Sequence, residues 1–289
     1  MASALSRGPF MVLNEVWEAR DLLRNLIAKE LTVRYKGSVL GFAWTLVTPL
    51  MLAVIFTVVF LTFLRVPFGE NGDFTTFFLS GYLAWQFFQN SVMASATSII
   101  ANGPLVKKVY FPREVLPLSL VISQLVHFSL ALLATSPLFL WNRGFHPETL
   151  PYLALALLLT TMFTAGTSMA FGALTVRFRD LNEFLPVLMQ AWFYLTPVIY
   201  SLENVKLIDA ANGSNFERII RINPASWFIE MFHTILYGIP LPPDRADFHP
   251  PPGSPALSTW LVCAGLAVVV LIGGWWLFRR QAVSFAKEV

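Results

Sequence analysis

The chain has 289 residues and a formal net charge of +3, with 13% charged positions against 56% hydrophobic ones and 26 phenylalanines. A soluble protein of average composition carries about 25% charged residues, so a chain this poor in charge cannot clothe a water-facing surface of its size. The charges cluster, and the uncharged runs between them have the length of membrane spans, which need about 20 apolar residues to cross about 30 Å of hydrocarbon.

Residues 1–20 hold no compact apolar stretch followed by a small-residue cleavage site. They do not read as a signal peptide, and the first span is expected to direct insertion. From 20 to 27, Leu22, Leu23, Leu26 and Ile27 share one arc, while Arg20, Asp21, Arg24 and Asn25 fall mostly elsewhere. This pattern predicts an amphipathic helix lying at the membrane interface. It degrades afterwards, because Glu30 and Arg34 enter the apolar arc; they are four apart and can pair with each other, or a partner protein covers them.

The charge-free runs are 37–64, 74–106, 115–142, 149–176 and 184–202, with a last apolar run at about 256–278. Read as spans, they give six crossings with both termini on one side. The second run exceeds one crossing, so part of 94–106 is expected to extend beyond the bilayer. Thr48-Pro49 in the first span and Thr196-Pro197 in the fifth predict bends, because a mid-span proline frees a carbonyl. Bends suit a conduit or hinge, and equally a static membrane protein.

Lys and Arg are unevenly divided between the two sides. The side holding 1–36, 107–114, 177–183 and 279–289 carries 14 of the 20. The positive-inside rule makes that side cytoplasmic. The basic balance is therefore topological, and a concentrated stripe for nucleic acid is absent from the sequence.

Between the fifth and sixth spans, 216–239 reads as a short external helix. Asn223 can cap it, Pro224 suits its first position and Gly238 its end. Trp227, Phe228, Met231, Phe232, Ile235 and Leu236 recur at helical spacing inside. The length suits either a re-entrant helix or one packed externally on the spans.

Little else carries chemistry. The sequence lacks a G-x-x-x-x-G-K-[ST] phosphate loop, an H-E-x-x-H zinc helix and a G-x-S-x-G elbow. No Asp or Glu lies inside a span, against a carboxylate ion relay. Cys263, the single cysteine, excludes an intrachain disulfide. Asp244, Asp247 and His249 could hold a metal, but a solvated turn in a Pro-rich loop accounts for them better. His127, the one span histidine, reads as a packing residue. Trp44, Trp85, Phe87, Phe88, Trp192, Phe193, Tyr194 and Tyr200 lie in or near the spans, as a sugar-tolerant lining or as interfacial belts. Trp275 and Trp276 suit a belt.

Four stretches together resemble the membrane subunit of bacterial ABC-2-type exporters of lipid-linked polysaccharide, the O-antigen and wall teichoic acid permeases. They are L-T-V-R-Y-K-G-S-V-L-G-F-A-W-T-L-V-T-P-L from Leu31, and L-V-K-K-V-Y-F-P-R-E-V-L-P from Leu105. R-D-L-N-E-F-L-P with W-F-Y-L-T-P-V-I-Y follows from Arg179, and N-P-A-S-W-F from Asn223. The resemblance implies an all-α polytopic membrane protein with six transmembrane helices, an N-terminal amphipathic interface helix and external re-entrant helices between spans 5 and 6. Its parts would be a cytoplasmic segment 1–36, a transmembrane domain 37–278 and a cytoplasmic tail 279–289. Within the domain, the coupling loop would be about 101–117 and the external helical segment 203–255.

The resemblance further implies a non-enzymatic permease in the bacterial cytoplasmic membrane, working as a homodimer with two copies of a separate ABC ATPase. This chain would bind no cofactor, and ATP with Mg would sit on the partner. Lys107, Lys108, Tyr110, Arg113 and Glu114 would meet that ATPase. Arg34, Tyr35 and Lys36 would meet the pyrophosphate of an undecaprenyl-type carrier by charge-assisted hydrogen bonds, or ordinary anionic lipids. Trp44, Trp192, Phe193, Tyr194, Thr196 and Tyr200 would line the route. The rivals are an ABC-2 permease for a drug or small lipid, and an integral membrane glycosyltransferase or lipid phosphatase. The second would need clustered acids or histidines at a membrane face.

Overall fold

A computed structural model describes residues 15, 17–36, 43–63, 74–109, 111–238, 251–282 and 285. All regular structure among them is helical. The first helix, α1 (Arg20–Tyr35), packs along α5 (Val115–Arg143). Its Leu22, Leu23, Leu26 and Ile27 are half-buried, while Arg20, Asp21, Arg24 and Asn25 are exposed.

Next comes α2 (Trp44–Thr57), which keeps Pro49 inside it and widens into a π-helical stretch at Val58–Phe63. A hydroxyl pair, Thr57 with Thr75 at 2.9 Å, ties α2 to α3 (Phe74–Ala101). Asn102 breaks the chain before α4 (Gly103–Lys108), whose Pro104 suits a first turn. The long uncharged second run is thus one long helix and one short one.

Helix α3 is the axis of the fold and packs on α2, α5, α6 (Leu150–Arg177) and α7 (Leu181–Leu195). That position explains its composition. Ser80, Ser91, Ser95 and Ser98 are buried on it, which suits a helix wrapped by protein rather than by lipid. Among the described residues, three segments are long and apolar enough to cross a membrane by length and composition. They are Val115–Arg143, Pro147–Arg177 and α11 (Leu257–Ala282), with mean hydropathies of 1.9, 1.6 and 2.4.

The fifth run departs from expectation. Helix α7 has 15 residues, about 22 Å at 1.5 Å per residue, short of the about 30 Å hydrocarbon core. Thr196 takes an extended conformation (φ −102°, ψ 136°), as a residue before proline must when the ring disfavours the helical region. Thr196-Pro197 therefore ends a helix where a bend was expected, whereas Thr48-Pro49 stays inside one. Beyond it lie α8 (Leu202–Asn212), α9 (Phe216–Ile222) and α10 (Pro224–Phe232), the last continued by a π turn at His233–Tyr237.

Helices α6 and α11 cross closely. A Cβ at Gly274 would run into the Gly166 carbonyl, and one at Gly166 into the Val270 carbonyl. Small residues let backbones approach in this way where no hydrophobic gain favours helix over lipid. The main core is aromatic: Phe163 stacks on Phe228 with centroids 4.7 Å apart, and Phe87 on Phe128 at 5.3 Å. A smaller cluster of Ile99, Val106, Leu116, Val176 and Phe278 fills the opposite end.

Candidate functional site

The basic end is built around the α4–α5 connection. Lys107 and Lys108 lie exposed in the last turn of α4, where cations suit the carbonyl-rich helix end. The next charges turn inward. Glu114 is 5% exposed and accepts a hydrogen bond from Arg279 Nε at 3.0 Å. Arg279 also reaches Glu15 at 3.4 Å and lies 5.3 Å from the Trp275 ring centroid. Arg113 donates to the Ala282 carbonyl and lies 6.0 Å from the Phe285 ring.

The predicted ATPase-contact set therefore divides. Lys107 and Lys108 face outward, Arg113 and Glu114 fasten the loop to the end of α11, and Tyr110 lies outside the described residues. Losing Arg279 would strand the buried Glu114 carboxylate, whereas losing Glu114 would leave Arg279 its longer contact with Glu15. The outward pair borders an open cleft of about 750 Å³, whose other wall is Val176, Arg179 and Asn182 at the α6–α7 turn. Two basic segments far apart in sequence thus face one another.

At the opposite end, Asn223 joins α7 to α10. Its Oδ1 accepts from Trp192 Nε1 at 2.8 Å and from the Ala225 amide at 3.0 Å. Its Nδ2 donates to Thr196 Oγ1 at 2.8 Å and to the Leu195 carbonyl at 3.3 Å. The helix cap expected from sequence is also a clamp on the broken end of α7.

A second clamp centres on His233, 5% exposed. Its ring stacks on Phe77, with centroids 4.1 Å apart and planes 6° apart. Nε2 lies 3.0 Å from the Pro197 carbonyl and Nδ1 2.7 Å from Ser80 Oγ. A carbonyl only accepts, so Nε2 carries the proton in this contact. A side chain on Gly81 would meet the imidazole, with Cβ 2.6 Å from Cε1. Outside these clamps, Asp209 accepts from Ser214 Oγ and from the Phe216 and Glu217 amides at the start of α9. The Ser214 bond first, and then the amides, hold its carboxyl below the ordinary range.

The expected route residues do not share one surface within a single copy. Phe193 and Thr196 are buried, and Trp192 is half-buried in a T-shaped contact with Phe88 at 5.3 Å. Tyr194 and Trp44 are 53% and 48% exposed. Tyr200 is half-buried and donates to the Tyr194 carbonyl at 3.3 Å. Arg34 and Tyr35 fall in the last turn of α1, their side chains outside the described residues, and Lys36 is exposed. His127 is buried at 7% exposure. Asp244, Asp247 and His249 lie outside the described residues, among which no group of three His, Cys, Asp or Glu could hold a metal.

Sequence reasoning did not single out His233, Ser80 or the Glu114–Arg279 pair. A histidine inside the apolar run M-F-H-T-I was the available signal for the first. The pair joins positions 165 apart and left none.

Residues 21–237 match the family of ABC-2 type transporters. Over 214 residues the chain is 34% identical to the O-antigen export system permease protein RfbA of Klebsiella pneumoniae, covering 72% of this chain and 77% of that one. Over 288 residues it is 29% identical to a protein of the same name from Myxococcus xanthus, covering 96% and 99% respectively.

Proposed function

The chain belongs to the ABC-2 type transporter family, among its polysaccharide-export permeases, and we propose that it is the membrane half of an ATP-driven exporter of carrier-linked cell-surface glycan. The observation that carries this reading is the exposed Lys107–Lys108 pair on a short helix. That helix leads into a loop bolted by Glu114 and Arg113 to the last span. Such a protrusion transmits force: a partner that moves α4 also moves α5 and α11.

The partner is an ABC ATPase, two copies on two copies of this chain, and it supplies the nucleotide site that this sequence lacks. The chain makes six crossings of the bacterial cytoplasmic membrane with both termini inside. Even one charge at the bilayer centre costs several kcal/mol, so a glycan on a pyrophosphate carrier needs a protein-lined route. Helices α2 and α7 suit its walls. Val54, Ile55, Val187 and Leu195 are exposed on them beside Trp44 and Tyr194, as expected of faces that a second copy covers. The carrier's lipid tail stays in the membrane, its pyrophosphate entering beside Arg34, Tyr35 and Lys36. Helices α8 to α10 shape the outer exit. The names of the relatives favour an O-antigen-type polymer as cargo, with a teichoic-acid-type polymer as the alternative.

Charge reversal at Lys107 and Lys108 tests the docking. Lys107→Glu with Lys108→Glu leaves the fold intact, because both are exposed and surface changes cost within about 0.5 kcal/mol. Co-purification of the ATPase should fall about tenfold or more, the scale of charge pairs at interfaces. Recovery of the ATPase at the native ratio would contradict the assignment.

A further inference from the structure

A second cavity lies at the end of the bundle opposite Lys107, walled by α10, the start of α8, the first turn of α11 and Phe77 of α3. Its volume is about 160 Å³. Its polar lining includes Tyr200, Glu203, Glu230, Thr234 and Thr259. We propose that this cavity is a saccharide subsite that takes one neutral pyranose residue of the exported chain, an inference that rests on the glycan-export reading.

Three features select that ligand. First, the carboxylates are already neutralised. Glu203 pairs with Lys206 at 2.5 Å, and Glu230 lies 3.7 Å from Arg221. A free cation therefore gains little, while both groups still offer oxygen acceptors to hydroxyls. Second, the lining mixes hydroxyls and carboxylates with the ring of Tyr200, and a pyranose presents hydroxyl edges and an apolar face. Third, Thr259 lines the cavity and presents its hydroxyl to a ligand there.

The cavity walls are fixed before any ligand arrives. His233 is clamped between Ser80 and Pro197, the Gly253 amide donates to the Thr234 carbonyl at 3.1 Å, and Ser201 caps α8 through the Asn204 amide at 3.2 Å. Preformed walls spare the ordering cost of binding. A polymer leaving the membrane would thus be held one residue at a time at the outer face.

The test uses the purified full-length chain in lipid nanodiscs, without ATP or partner. The probes are methyl glycosides of glucose, galactose, mannose, rhamnose and N-acetylglucosamine, followed by ligand-observed NMR. At least one should bind saturably with a Kd on the order of 1 mM. Thr259→Val and Glu203→Ala should each weaken it about tenfold, the loss of one hydrogen bond to the ligand, while Thr259→Ser retains it. Failure of all five to bind, binding unchanged in both variants, or calcium binding in their place would overturn the proposal. Export that fails in cells while this binding persists would instead refute the export reading, so the two failures are separable.

Discussion

Asn223→Ala lowers the stability of the detergent-solubilised chain by about 2–4 kcal/mol, the sum of a lost helix cap and stranded donors. The size follows from how many groups one side chain serves. Its Oδ1 caps α10 at Ala225 and also takes the Trp192 indole proton, and its Nδ2 supplies Thr196 and Leu195. Alanine leaves the Trp192 N–H facing protein with no acceptor, and it frees the broken end of α7 from α10. Asn223→Asp separates the two roles. It keeps the cap and the indole acceptor but loses both donated bonds, and should fall between native and alanine. Thermal unfolding followed by tryptophan fluorescence reads the order native, Asp, Ala. An alanine variant as stable as the native chain would show that the clamp carries no energy.

Gly274→Val has a comparable or larger effect and acts at the opposite level, on backbone approach rather than on hydrogen bonds. The new Cβ would collide with the Gly166 carbonyl, and a carbonyl on a packed helix cannot swing away as a side-chain tip can. Helices α6 and α11 must separate, at a cost of about 3 kcal/mol or more. The variant should fail to accumulate in membranes. The neighbouring residue provides the control, because a Cβ at Gly273 meets nothing within 4 Å. Gly273→Ala should therefore accumulate as the native chain does. Equal accumulation of Gly274→Val and Gly273→Ala would refute the close crossing.

The helical layout was largely legible because scarce charges act as punctuation. The boundary at Val115 matches a helix start, with Glu114 just before it. Asn223, Pro224 and Gly238 marked a real cap, first turn and end, with Gly238 at φ 97°. What stayed hidden depended on three-dimensional neighbours. The same Thr-Pro pair sits within α2 and ends α7, and nothing local separates the two. Composition could not say that Phe193 is buried while Tyr194, one position on, is exposed. A charge run that reads as topology also conceals its own division, since Arg113 and Glu114 are spoken for by α11 and Lys107 and Lys108 are not.

The central claim is that this chain moves carrier-linked glycan outward only when an ATPase partner drives it. The direct measurement is the sidedness of that glycan in cells from which the partner ATPase has been deleted while this chain is retained. The account predicts carrier-linked polymer accumulating at the cytoplasmic face and none reaching the surface. Polymer arriving at the surface at the native rate without the ATPase would contradict it.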